Sequence, residues 1–385
     1  MKKTVSLFVL SLGILSNLSS SVYAQEVLNE KEEALSFEAS YIGDNVNNLS
    51  GGIKTGSKYL GMANLRLSFD VEKAGLWKKG QFYLNAANTH GASPSSELLG
   101  DMQVASNIDA GNHTYIQEFW FKQALGQFEL TAGLQDLNVE FANSEYGGLF
   151  MNSSFGILPV ISTNVSAPIF PLTTLGITAK WNISPKVSWL GAVYDGSPTD
   201  FDYNPYNIKW RLASGDGVLA ISELQYNANI KSLPGTYKVG IYSHNHVIEN
   251  SLDENVTDSL ENNIVGLYAY ADQKVWEQNN KSLGLFAQLG YSPSDASTNN
   301  YYLGLGLNYA GLFTKQGTDV LGLAVAHQHF TGGLSSETAI ELTYQYQLTK
   351  NIFIQPDFQY IINPAGTGET LNNCFAANLR FGISF

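Results

Sequence analysis

The last eleven residues of the chain alternate strictly between apolar and polar or small side chains, beginning at Phe375. The apolar positions are Phe375, Ala377, Leu379, Phe381, Ile383 and Phe385. A period of two is that of a β-strand with one apolar and one polar face. Arg380 lies in the middle of the polar face, which fits a strand placed between lipid and a water-filled interior, as in an outer-membrane barrel.

Similar alternation recurs along the whole chain and defines sixteen candidate strands. They are 35–41, 62–71, 81–87, 115–123, 128–137, 172–181, 187–194, 217–226, 237–244, 262–271, 282–291, 300–309, 319–328, 337–348, 351–362 and 375–385. An even number of strands is what a single-chain bacterial barrel requires, and about 16 leave a water-filled channel. We therefore predict an all-β fold, a transmembrane antiparallel β-barrel whose long loops fold partly into the pore.

The alternation also assigns the two faces of the clearest strands. In 62–71, we expect Ala63, Leu65, Leu67, Phe69 and Val71 to face lipid and Arg66 to face the lumen. In 115–123, Glu118, Trp120 and Lys122 share a face with Ile116. Because charges are costly at the bilayer centre, that face is expected to be lumenal. Trp120 could instead belong to an aromatic girdle at the membrane surface.

The start of the chain predicts export. Lys2 and Lys3 precede an apolar stretch, and 22–24 (Val-Tyr-Ala) has the small-residue pattern of a cleavage site. We expect 1–24 to be a removed signal peptide, 25–34 a lead-in, and 25–385 one barrel domain in the cell outer membrane. No later segment has about 20 consecutive apolar residues, so no transmembrane helix is expected. Loss of two lysines changes the formal net charge from −13 to −15, which argues against a nucleic-acid partner.

Three connections are longer than turns: 88–114, 138–171 and 195–216. Within the second, segment 140–156 is too apolar for a freely solvated loop, with Phe141, Phe150 and Phe155 among its residues. We expect it to pack against the inner barrel wall and to bring Glu145 near a constriction, where Asp101 of the preceding loop could join it. The alternative is a loop packed over the barrel mouth without contact to solute.

Several blocks of the chain resemble the carbohydrate-selective porin family of Gram-negative bacteria, the OprB type. The resemblance covers about residues 60–385 and rests on 100–108, 133–141, 144–146, 149–156, 171–176, 192–196, 356–364 and 380–385, of which the Leu-Phe-Met-Asn-Ser-Ser-Phe-Gly block at 149–156 is the most specific. It implies a 16-stranded barrel with inward-folded extracellular loops and passive diffusion of sugars such as glucose. Some members have a basic residue near the positions of Leu134 or Gln135, where this chain has none. Together with the charge of −15, this argues against strong selection for anionic sugars.

A sugar channel needs aromatic faces to stack on pyranose rings and planar charged groups to hydrogen-bond hydroxyls. The residues that fit this description and are expected to line the pore are Arg66, Glu118, Trp120, Lys122, Glu145, Arg380 and Asp101. For Arg66 and Arg380 the alternative is an ion pair within the barrel wall.

Other motifs predict no further chemistry. The acidic stretch 195–202 lacks the complete calcium-loop pattern and is expected to be an exposed turn. The pairs His244/His246 and His327/His329 lack a third zinc ligand. Catalytic and phosphate-loop motifs are absent from the sequence, so we expect neither an enzyme nor a cofactor.

Carbohydrate diffusion is therefore the predicted function. A general, weakly cation-preferring porin is the first alternative, and a barrel hydrolase the second. The expected partners are carbohydrate solutes, outer-membrane lipid and lipopolysaccharide. Phe385 resembles the aromatic terminal signal read by the outer-membrane assembly machinery, which adds that machinery to the partners. The sequence leaves a monomer and a trimer equally open.

Overall fold

The alternating segments form one antiparallel sheet that closes on itself. The structure is a computed structural model that describes residues 33–212, 215–248, 260–293, 296–332, 335–366 and 371–385. Within these residues every strand pairs with its sequence neighbours, and the first strand also pairs with the last, so the barrel has no free edge. The predicted signal peptide, and all but the last two residues of the predicted lead-in, lie outside the described residues.

The strand bounds are β1 Leu35–Gly52, β2 Gly56–Asp70, β3 Gly80–Gly91, β4 His113–Leu125, β5 Phe128–Gln135, β6 Thr174–Ser184, β7 Val187–Asp195, β8 Val218–Ile230, β9 Leu233–Ile248, β10 Leu260–Gln278, β11 Lys281–Tyr291, β12 Asn299–Ala310, β13 Asp319–Phe330, β14 Ser336–Thr349, β15 Ile352–Ile362 and β16 Asn372–Ser384. Two short helices, α1 (Leu137–Glu140) and α2 (Pro159–Ser162), follow β5. Single helical turns occur at Ser95–Leu99, Gly147–Leu149, Ser153–Phe155 and Pro364–Gly366. Among the described residues, no helix is both long and apolar enough to cross a membrane.

The two ends of the barrel differ in their connections. One end has the chain termini and mostly tight turns, such as 126–127, 185–186 and 231–232. The other end has the long connections 92–112, 136–173 and 196–217. In outer-membrane barrels the short turns are periplasmic and the long loops extracellular, which orients the molecule.

All sixteen predicted strands occur in the predicted order, so the predicted fold class is confirmed. The largest difference is in β1, which extends eleven residues beyond the predicted end at position 41. Gly43, Asn45 and Asn47 fall on the outer face of this extension and interrupt the apolar alternation. Val71 was expected to face lipid, but β2 ends at Asp70 and Val71 is buried in the following turn.

The core of the molecule lies inside the barrel rather than between layers. Most of the largest buried apolar side chains belong to the connection 136–173 or to the strand faces that it covers. This segment is named the second inserted loop, and 92–112 the first inserted loop. Their packing fills much of the interior and determines where an opening remains.

Candidate functional site

The second inserted loop is held against the inner wall by carboxylates of the strands. Each carboxyl group points inward and accepts hydrogen bonds from loop backbone amides. The bonds are Ala142 N to Glu223 (2.9 Å), Tyr146 N to Asp272 (3.0 Å), Met151 N to Glu341 (2.6 Å) and Asn152 N to Glu341 (3.0 Å). The loop therefore follows the wall from β8 to β14.

Apolar packing accompanies these bonds. Phe141, Phe150 and Phe155 are all at most 1% exposed. The ring of Phe150 lies 4.9 Å from Phe155 and 5.6 Å from Phe286 of β11. Tyr302 of β12 donates a hydrogen bond to the carbonyl of Ser154 over 2.9 Å. The expectation that 140–156 packs against the inner wall agrees with these contacts.

The first inserted loop runs along the remaining part of the same wall. Glu337 of β14 accepts hydrogen bonds from the amides of Met102 and Gln103, with a distance of 2.9 Å to each. Asp44 of β1 accepts a bond from Ser106 Oγ over 2.7 Å. The two inserted loops also meet, since Asn107 N donates to Met151 O over 2.7 Å. Together the loops cover the wall from β8 through β16 to β1.

The carboxylates that anchor the loops were not among the predicted site residues. They are Asp44, Glu223, Asp272, Glu337 and Glu341, and each is at most 2% exposed. Their only signal in the sequence is an acidic residue on the inner face of a strand, which is also what a water-facing pore residue shows. Because four of them are buried against loop amides and Asp44 against Ser106 and Arg380, the net negative charge of the chain does not measure the charge facing the pore.

The inner face of β2 to β4 carries a cluster of aromatic and charged groups, of which Glu118 is buried and the others are partly buried. Trp120 and Tyr83 lie directly opposite in adjacent strands, and their rings stack at 4.8 Å with 23° between planes. Trp120 Nε1 donates to Glu118 over 3.1 Å. Lys122 Nζ lies 5.1 Å from the centre of the Trp120 ring, within the range of a cation–π contact. Arg66 donates to Ser40 over 3.3 Å.

We name Arg66, Tyr83, Glu118, Trp120 and Lys122 the aromatic–charged cluster. It joins four predicted site residues, while Tyr83 was missed because its position reads as an ordinary strand tyrosine. Trp120 lies on the inner face and not in the outer girdle that was its alternative placement. The charged side chains around the rings would give polar solutes several hydrogen-bonding groups next to an apolar surface.

Lys122 also connects the cluster to the start of the second inserted loop. Its ammonium lies 3.2 Å from the carboxylate of Glu140 in α1. Burial raises the pKa of Glu140, but the charges of Lys122 and Lys180 outweigh that effect, and the pKa is lowered overall. Glu140 is therefore ionised at neutral pH and fixes one end of the loop beside the cluster.

A β-bulge in β4 changes which residues face inward between the cluster and the long-loop end of the barrel. The register slips between Asn85 and Ala86 of β3, so that Gln117 is an extra residue. Uniform alternation places Tyr115 and Gln117 opposite Glu118 and Trp120, on the lipid face, but they are 3% and 7% exposed. Gln117 donates to Asp136, the residue after β5, over 3.1 Å. Uniform alternation could not predict the bulge.

Arg380 lies away from the aromatic–charged cluster, at the seam that closes the barrel. Its guanidinium makes two bonds of 2.8 Å to Asp44 across the β1–β16 pair. A third bond of 2.7 Å reaches Asn107 of the first inserted loop. Arg380 is 4% exposed. This geometry is that of the wall ion pair given above as the alternative to sugar contact.

Glu145 and Asp101, the two predicted loop residues, lie in different surroundings. Glu145 is exposed on the second inserted loop, next to Ser144 and Tyr146, which are bonded to the wall. Asp101 is buried at 7% exposure in the first inserted loop. Burial, together with the nearby charge of Asp109, raises the pKa of Asp101 to about 6.

The raised pKa of Asp101 predicts a pH-dependent stability. The folded protein holds this proton more tightly than the unfolded chain, so stability from this group is present at low pH and lost as pH rises through about 6. Asp101→Asn should therefore increase the free energy of unfolding at pH 8 by about 1–3 kcal/mol. The unfolding temperature should rise accordingly. Melting in detergent at pH 4.5 and pH 8 measures this; an equal shift at both pH values would contradict it.

The acidic turn and the histidine pairs form no metal site in the part of the chain that is described. No group of three His, Cys, Asp or Glu there is arranged to hold a metal ion. Asp200 accepts a bond from Asp202 N over 2.8 Å, which is the geometry of a capped turn. His327 bonds Thr338, and His329 bonds Asn300. His244 bonds the carbonyl of Gly196, and the side chain of His246 lies outside the described residues.

Comparison with known proteins adds the family to this geometry. The profile of the carbohydrate-selective porin, OprB family, matches residues 54–385. The chain belongs to this family. The porin is 24% identical to Porin B of Pseudomonas aeruginosa over 414 aligned residues, which cover 92% of this chain and 88% of the relative. Family membership indicates an outer-membrane carbohydrate porin, a channel rather than an enzyme, as the sequence resemblance predicted.

Solved structures share the fold of the porin. The OprB structure of Pseudomonas putida at high pH superposes with a TM-score of 0.82 at 20% identity, covering 91% of this chain and 94% of that chain. A loop-deletion form of OmpT from Vibrio cholerae superposes with a TM-score of 0.54 at 11% identity, covering 91% and 100%. At these identities the likeness supports the barrel architecture alone.

Proposed function

We propose that the porin lets neutral monosaccharides and oligosaccharides, such as glucose, diffuse passively into the periplasm. The path runs through the opening between the second inserted loop and the inner face of β2–β4. The observation that carries this proposal is the stacked pair of Trp120 and Tyr83 on an inner wall, with Glu118 and Lys122 beside the indole.

The chemistry of the aromatic–charged cluster suits a sugar. A pyranose presents C–H groups on its faces and hydroxyls around its edge. The exposed part of the Trp120 ring offers a surface for the C–H faces. The charged groups of Arg66 and Lys122 offer directed hydrogen bonds to the hydroxyls. Each hydroxyl can satisfy a lining group without desolvating a net charge. Contacts of this kind are weak enough for release.

The remaining predicted site residues divide into two roles in this proposal. Glu145 faces the open side of the second inserted loop and lines the passage opposite the cluster. Arg380 is buried beneath the first inserted loop, and Asp101 is buried within it. We propose that Arg380 holds the loop in place through Asn107 and that neither residue contacts a sugar.

A weakly cation-preferring general porin is the alternative, because the chain is strongly acidic. Five of its inner carboxylates are occupied by loop amides and hydroxyls, which weakens the argument from net charge. For a barrel hydrolase, no specific observation favours a nucleophile and base pair.

Replacing Trp120 by alanine tests the role of the stacking surface. We expect the variant to show weaker block of ion current by glucose or short oligosaccharides, by roughly threefold to tenfold in apparent affinity, because a sugar loses its apolar contact. Planar-bilayer recordings with increasing sugar concentration measure this. Trp276→Ala is the matched control, since Trp276 is exposed on the outer face and stacks on Tyr309. Equal sugar block in parent and Trp120→Ala would assign the indole a structural role.

We further propose that the porin contacts lipopolysaccharide in the outer leaflet and meets the assembly machinery through Phe385. Phe385 is 77% exposed, and its amide pairs with Ala39 O over 2.8 Å at the end of the seam. An exposed aromatic at the end of the last strand is available to a partner before the barrel closes. Removal of 1–24 during export belongs to the same proposal.

A further inference from the structure

The connection 196–217 differs from the two inserted loops because part of it lies on the outer side of the barrel. The ring of Trp210 stacks on Phe119 with 5.8 Å between centres and 25° between planes. Phe119 lies between Glu118 and Trp120, which face inward, so its ring faces outward. Leu134 belongs to the outward series of β5, yet it is 1% exposed. Covering by this segment explains that burial.

Residues 203–212, named the outer strap, also complete the wall. β5 ends at Gln135, so the part of β4 before Phe119, at the long-loop end, has no partner in β5. Tyr206 O accepts a bond from Ile116 N over 3.0 Å. Asn207 Nδ2 donates to Ile116 O over 3.2 Å and to Thr173 Oγ1 over 3.1 Å. The outer strap is therefore fixed to β4 by the Tyr206 carbonyl and the Asn207 side chain and is not a freely solvated loop.

The free face of the outer strap combines large apolar side chains with two bases. The exposed residues are Tyr203, Tyr206, Ile208, Lys209, Trp210, Arg211 and Leu212. Ile177 and Val193, on the outer faces of β6 and β7, are 63% and 54% exposed. The outer strap thus continues the lipid-facing band of the barrel at its long-loop end.

A surface of this composition suits the boundary between acyl chains and charged headgroups. Tyrosine and tryptophan rings accumulate at that depth of a membrane. Lys and Arg next to them attract anionic lipid headgroups. The long-loop end faces outward from the cell, so the leaflet at this depth is the outer one.

We propose that the outer strap is a docking site for a phosphorylated lipid of the outer leaflet. The acyl chains lie on Trp210, Ile208 and Phe119, and the phosphates lie near Lys209 and Arg211. The proposal gives a site to the lipopolysaccharide contact proposed above and depends on that outer-membrane setting. It is independent of sugar passage.

The charge of the outer strap disfavours a two-fold contact with a second copy of the chain and favours lipid. A two-fold contact through this face would bring Lys209 and Arg211 against the same bases of the other copy. A phosphorylated lipid instead supplies the opposite charge, and its acyl chains match the apolar residues. Continuity with the lipid-facing band points the same way.

The test uses the folded full-length porin in nonionic detergent and two probes with identical acyl chains, diphosphoryl lipid A and its dephosphorylated form. Binding is measured by native mass spectrometry. The parent should bind the diphosphoryl form about tenfold more tightly, and Lys209→Gln with Arg211→Gln should lose most of that preference. The control, Lys186→Gln with Lys315→Gln, removes two exposed lysines from the short-turn end and should stay within about twofold of the parent.

Equal affinity of both double variants for diphosphoryl lipid A would overturn the proposal. So would a change of oligomeric state in the strap variant without a change in lipid affinity, because a second copy would then be the occupant. Heat-modifiable migration on gels establishes that each variant is folded. Glucose flux should be unchanged in the strap variant, so failure of lipid binding and failure of the proposed sugar function give different results.

Discussion

Replacing Glu341 by alanine should raise the single-channel conductance and make it noisier. The Glu341 carboxylate accepts the amides of Met151 and Asn152 deep inside the barrel. Without it, two buried amides lose their partner, at about 1–3 kcal/mol each, partly offset by relief from burying a charge. The second inserted loop should then leave the wall for part of the time and widen the passage.

Planar-bilayer recordings in symmetric salt measure this effect. Glu341→Gln keeps an acceptor oxygen and should give an intermediate conductance. Glu277→Ala removes an exposed carboxylate that forms an ion pair with Lys274, three residues away, and should leave conductance at the parent level. If Glu341→Ala also conducts like the parent, then the carboxylate does not hold the loop in place.

Replacing Arg380 by alanine should strongly destabilise the barrel. The substitution leaves Asp44 buried without its cation, a loss of about 3–5 kcal/mol for a pair of this kind. It also removes the bond to Asn107, so the first inserted loop should loosen. The expected results are a lower unfolding temperature in detergent and a smaller folded fraction after refolding.

The double variant Asp44→Asn, Arg380→Gln distinguishes this cause from loss of side-chain volume. It removes both charges, keeps a polar group at each position and restores part of the volume that Arg380→Ala removes. Most of the lost stability should return, because no unpaired charge remains. A double variant as unstable as Arg380→Ala would place the effect in packing and not in the ion pair.

Much of the barrel could be predicted because alternation is a local property of each strand. β14 and β16 have uninterrupted apolar outer faces, and their strands match the prediction within three residues at each end. The inward folding of 140–156 was also predictable, since so many aromatic side chains require a surface to pack against. The length of β1 was underestimated, because Gly43, Asn45 and Asn47 stand on its outer face where apolar residues would continue the alternation.

The roles of inward-facing charges could not be predicted in the same way. Glu341 and Glu118 both lie on the inner face of a strand, and alternation treats them alike. One is bonded to loop amides, and the other lies beside Trp120. The difference depends on the path of a loop nearly two hundred residues away from Glu341 in sequence. The bulge at Gln117 is a similar case. One extra residue reverses the inward and outward faces of the part of β4 that precedes it.

Liposome swelling with solutes of matched size tests the central claim, selective passage of neutral sugars, most directly. The porin is reconstituted, and swelling rates are compared for monosaccharides and for zwitterionic amino acids of equal molecular size. We predict faster swelling with the sugars, because their hydroxyls satisfy the aromatic–charged cluster without desolvation of a net charge. Swelling rates that depend on molecular size alone would contradict the account and would favour a general porin.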